Sequence, residues 1–77
     1  MNKDELERFL KNNFSWLVGN LNYLLTHNGV EEATRAVINE LWTQYYSKKP
    51  LPLLSRTEIV SWIGELENLL SKYREEV

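Results

Sequence analysis

The chain contains no cysteine. A disulfide framework, a thiolate nucleophile and thiolate metal ligands are thereby excluded, and such a chain suits a reducing compartment. Histidine is nearly as scarce, with His27 alone. A protein zinc site draws on about four N, S or O ligands, and a di-iron bundle wants Glu-x-x-His motifs aimed inward. One His without cysteine cannot supply a usual zinc set, and no Glu-x-x-His occurs, so no metal and no other cofactor is expected. Long apolar runs are missing too: nothing approaches the roughly 18 residues of a membrane-spanning helix. The segment MNKDELERF is charged where a secretory signal needs an apolar core, so a cytoplasmic location is expected. Neither sign of charge is massed. Nine basic residues against eleven acidic ones give a formal net charge of −2, and the basic ones are scattered. The electrostatic footprint of a nucleic-acid or anionic-lipid binder is therefore missing.

What the chain does have is aromatic side chains: three Trp, four Tyr and two Phe in 77 residues. That length makes one domain, 1–77, near the size at which a single core only just suffices. Large aromatic side chains help such a core because each buries much area. Apolar spacing predicts three helices. The first covers 3–27, with Leu6, Leu10, Leu17, Leu21 and Leu24 on one stripe and Phe14, Val18 and Leu25 beside it. Asp4 and Glu5 suit its positive end, and Asp4–Arg8 and Glu7–Lys11 are spaced as i,i+4 pairs. Gly19 falls mid-helix, where it costs about 1 kcal/mol relative to Ala. A break near Asn12-Asn13 is the rival to one continuous helix.

His27-Asn28-Gly29 reads as the stop, because Gly29 can take the left-handed conformation that closes a helix. A second helix over 30–46 follows almost at once, which makes an antiparallel αα-hairpin. Val30, Val37, Ile38, Leu41, Trp42 and Tyr45 line one of its faces, and Glu32, Arg35, Asn39 and Thr43 the other. Pro50 and Pro52 stiffen the next connection, and Pro50 ends the helical pattern before it. Ser55-Arg56-Thr57-Glu58 is a capping box, with Leu54 and Ile59 at the staple positions. It opens a third helix over 56–75, whose apolar stripe runs through Ile59, Trp62, Ile63, Leu66, Leu69, Leu70 and Tyr73. The expected fold is therefore all-α, an antiparallel three-helix bundle.

No catalytic constellation accompanies it. Nucleophilic catalysis needs a Ser, Cys or Thr beside a base held by a third group. Only His27 offers a base of that kind, and it sits at a helix end beside a glycine turn. Glu31-Glu32 and Glu75-Glu76 look like helix-end charges, and no phosphate-loop or dinucleotide fingerprint occurs. An enzyme and a small-molecule substrate are not expected. A protein partner or a homodimer is. Phe9, Trp16 and Tyr23, seven residues apart, form a second ridge on the first helix, with Asn13 and Asn20 in the groove beside it. That ridge widens the apolar arc beyond the stripe of about 100° a surface helix needs. Trp and Tyr commonly anchor interfaces, and Trp42 and Tyr46 extend the patch. The expected function is a small binding or regulatory module of adaptor or inhibitor type. The alternatives are a purely structural self-associating module, or a nucleic-acid-binding regulator working through Lys48, Lys49 and Arg56.

Overall fold

The computed structural model describes residues 2–47 and 54–76. These form four helices, α1 Asn2–Phe14, α2 Leu21–His27, α3 Gly29–Tyr46 and α4 Arg56–Glu76, with no strand among the described residues. The all-α class holds. The expected helix over 3–27 does not run through: it is divided into α1 and α2, so four helices replace the three expected. The connection from Lys48 to Leu53 lies outside the described residues.

The division has a local cause. The Trp16 indole Nε1–H donates to the carbonyl of Asn13 at 2.7 Å. In a continuing helix that carbonyl would accept from the amide of Leu17. Leu17 instead donates to Phe14 at 3.0 Å, a tightened i→i+3 bond that closes α1. The Asn13 side chain donates back to the Phe9 carbonyl at 3.0 Å. Five of the nine residues 12–20 are Asn, Ser or Gly, whose backbones are held weakly in a helix. The break therefore falls over 15–20, just past the Asn12-Asn13 pair, and takes in Gly19.

Burial follows the apolar stripes. Leu6, Leu10 and Phe14 of α1, Val18 of the break and Leu21 of α2 all enter the core. The α2–α3 joint is tight: Asn28 donates to the Leu24 carbonyl at 2.8 Å, and Gly29 carries the single positive φ among the described residues, 91°. From α3 come Val30, Ala33, Val37 and Leu41, together with Thr34. A threonine fits there because its hydroxyl donates to the Val30 carbonyl at 2.7 Å and leaves nothing unpaired. The capping box forms as expected: Ser55 N–H donates to Glu58 Oε1 at 3.1 Å, and Glu58 N–H to Ser55 Oγ at 3.2 Å. Leu54 packs against the core beside it. Ile59, Ile63, Leu66 and Leu70 then bury one face of α4, spaced four, three and four apart. Trp62 ties α4 to α1, with its ring edge-on to Phe9 at 5.6 Å and to Phe14 at 5.1 Å.

Two contacts fix the direction of α4 against α3. Arg74 Nη2 donates to Glu31 Oε2 at 2.9 Å, joining the end of α4 to the start of α3. At the other end the Arg56 guanidinium lies 4.9 Å from the centroid of the Tyr45 ring. The two long helices are therefore antiparallel.

Candidate protein-binding face

Breaking the first helix also breaks the ridge expected on it. The seven-residue spacing of Phe9, Trp16 and Tyr23 aligns side chains only while one helix keeps its phase. Phe9 packs against the core and touches the Phe14 ring at 5.9 Å. Trp16 lies in the break and is exposed, with its polar edge spent on Asn13. Tyr23 is exposed on α2, stacked on His27 at 4.1 Å between centroids. Asn13 is partly buried and Asn20 exposed. The structure thus separates one half-buried ring packed against the core from two surface aromatics, where the sequence suggests a single row. His27 Nδ1 sits 3.1 Å from the Tyr23 carbonyl, which only accepts, so Nδ1 is the donor there.

The aromatics of α3 are gathered instead. Trp42 is 37% exposed and Tyr46 71%. Their rings stack at 5.8 Å with an interplanar angle of 21°. Tyr45 stands edge-on to both, at 5.5 and 5.0 Å, and carries Arg56 on its own face. Spacing explains the set: residues 42 and 46 are one helical turn apart and 45 lies beside them. Val60, one turn into α4, is 51% exposed and lines a shallow hollow with Tyr45, Arg56 and Thr57.

From Trp42 an open groove of about 440 Å³ runs between α3 and α4. Its α3 wall is Arg35, Ile38, Asn39 and Trp42. Its α4 wall is Glu67, Leu70, Ser71 and Arg74. Both sets are spaced i, i+3, i+4, i+7, the seam that a helix presents to a neighbouring helix. Asn39 and Arg35, on the polar side by periodicity, line the flank away from the core. Periodicity alone does not single out Glu67 or Ser71 as groove residues. Their one signal is that repeated seam spacing, which shows only once the two helices are known to lie side by side.

The electrostatics of the groove are settled at one end. Glu31 accepts from Arg35 at 2.7 Å and from Arg74 at 2.9 Å through one oxygen, and Arg35 also holds Glu32 at 3.0 Å. The hydrogen bond from Arg74 draws the Glu31 carboxyl below its ordinary pKa against the opposing effect of desolvation. The same bond raises the Arg74 guanidinium. At the start of α4 the backbone N–H of Ser55, then its side chain, hold Glu58 below the usual carboxylate range. All of these groups are at the surface, where such pairs contribute little to stability.

Among the described residues no three His, Asp or Glu side chains come together as metal ligands would. No helix among them is long and apolar enough to cross a membrane. Lys48 and Lys49, considered as a basic site with Arg56, lie outside the described residues, and Arg56 itself is spent on the Tyr45 ring. No protein-family model, no curated protein and no solved structure matches the chain.

Proposed function

We propose that the protein is a small non-enzymatic binding module whose docking surface is the outer face of α3 and α4. The observation that carries this reading is the stacked pair Trp42 and Tyr46, exposed at the mouth of a groove whose two walls have helix-seam spacing. Leaving two large rings in water forgoes burial at about 25 cal/mol for each Å² of apolar surface, and a partner recovers it. Trp, Tyr and Arg are the residue types that anchor interfaces, and all three line this face. Trp16 and Tyr23 are exposed as well, but Trp16 is tied to the Asn13 carbonyl and Tyr23 is stacked on the His27 ring. The module therefore binds through its long antiparallel pair, with α1 and α2 as the buttress behind.

A photo-reactive residue in place of Tyr46, in the cells that make the protein, tests this. Adducts with another polypeptide chain are expected from position 46 and not from position 8, on the outer side of α1. Equal yields from the two positions contradict the assignment.

A further inference from the structure

We propose that Asn28-Gly29, at the joint between α2 and α3, is a site of spontaneous covalent modification: the asparagine converts to aspartate and isoaspartate, and the isoaspartate loosens the joint. The reaction needs an asparagine side chain that is free to turn and a following backbone nitrogen that can reach it. Asn28 is exposed. It stands at the N-cap of α3, yet its side chain makes no capping hydrogen bond, so the carboxamide is not held on the α3 amides. The Gly29 nitrogen opens α3, where a helix leaves its first amides without an intrahelical acceptor. Among the described residues it donates to no backbone carbonyl across the joint. Glycine has no Cβ to obstruct the approach, and apart from its chain neighbours no side chain lies within 4 Å of where one would stand.

Water is the only co-reactant. The Gly29 nitrogen, losing its proton to hydroxide, attacks Asn28 Cγ. The bond from Cγ to the side-chain nitrogen breaks, ammonia leaves with a proton from water, and a succinimide ring is closed. Water then opens the ring at either carbonyl. Opening at the side-chain carbonyl gives aspartate in an ordinary backbone. Opening at the main-chain carbonyl gives isoaspartate, whose main chain detours through the former side chain and is longer by a carbon. The fold gates the first step. In the closed joint ψ of Asn28 is −12°, which turns the Gly29 nitrogen out of line with Cγ. Attack waits on rotation about the Asn28 Cα–C bond, and that rotation swings α3 against α2. Conversion therefore records local opening of the joint.

Two changes follow at the start of α3. A new carboxylate joins Glu31 and Glu32, three and four residues on and on the same side of the helix, where Glu31 holds Arg35 and Arg74. The isoaspartate also lengthens a joint that has no residue to spare: Asn28 caps α2 and α3 at once, and Leu21 and Val30 on either side of it are buried. Asn20 is the built-in control. It too is exposed, stands at a helix N-cap and makes no capping bond, but Leu21 follows it in place of a glycine.

The test holds the full chain folded at mildly alkaline pH and follows it by peptide mass spectrometry, with circular dichroism recorded alongside. The expected result is the mass gain of amide-to-acid conversion at residue 28, faster as pH rises, with aspartate and isoaspartate both present and Asn20 unchanged. Asn28→Ser, which keeps an N-capping residue, is expected to lose that gain. Amide hydrogen exchange is expected to quicken at Val30 to Glu32 in the isoaspartate form and not in Asn28→Asp. Residue 28 still intact in the folded chain after the same chain in urea has converted overturns the proposal. Conversion of Asn20 as fast as Asn28 does so too, as does a mass gain that persists in Asn28→Ser. Unchanged exchange in the isoaspartate form overturns the loosening of the joint.

Discussion

Two exposed tryptophans of this chain do opposite work. Trp16 turns its polar edge inward and uses it to end a helix, by taking the Asn13 carbonyl at 2.7 Å. Trp42 stacks flat on Tyr46 and stands at the mouth of a groove. Their exposures are similar, 50% and 37%, so exposure alone does not separate them. What separates them is the company each keeps: a backbone acceptor in one case, and aromatic rings beside an open seam in the other. A third tryptophan, Trp62, gives the reference for a structural role, edge-on to Phe9 and Phe14.

The contrast can be broken by substitution. Trp62→Ala should cost the most, about 3 kcal/mol, because it removes the ring that joins α4 to α1. Chemical denaturation measures it, and a loss below about 1 kcal/mol would place Trp62 with the surface residues. Ser55→Ala is expected to cost about 1 kcal/mol, the usual loss of an N-cap, and to fray the start of α4 in hydrogen exchange. Trp16→Phe keeps the ring and removes only the N–H. Its expected cost is below about 1 kcal/mol, and the Leu17 amide should shift in an NMR spectrum as the Asn13 carbonyl is released. An unchanged Leu17 amide would show that the indole bond is not what stops α1.

The pH dependence is smaller still and has a definite sign. Folding lowers the pKa of both Glu58 and Glu31. Their stabilisation is complete above the ordinary carboxylate range and is lost as pH falls through the folded values. The melting temperature should therefore decline on acidification below that range. Glu58→Gln should flatten part of the decline, and an identical pH profile for the variant would remove Glu58 from the account.

The same contrast explains what the sequence disclosed. The Ser55–Glu58 box could be read directly because both of its hydrogen bonds lie within four residues and use the two residue types the motif names. The stripe Ile59, Ile63, Leu66, Leu70 and the closing turn at Gly29 were equally visible, since each depends on local spacing or local φ. The break was legible only as a rival reading near Asn12-Asn13, and its place at 15–20 was not. It depends on which of several donors captures one carbonyl, and an indole three residues on is not a recognised helix stop. The ridge of Phe9, Trp16 and Tyr23 inherited that error, because its alignment required an unbroken helix. Trp42 and Tyr46 were noticed only as extensions of that ridge. The opposite wall of the groove, Glu67 to Arg74, comes from a segment more than twenty residues away, and only the antiparallel packing of α3 and α4 brings the two walls together.

The most direct measurement places a photo-reactive residue at position 46 and, separately, at position 16, in the cells that make the protein. The account predicts adducts with another polypeptide chain from position 46 and few from position 16. Adducts from position 16 with position 46 silent, or equal yields from the two, would contradict it.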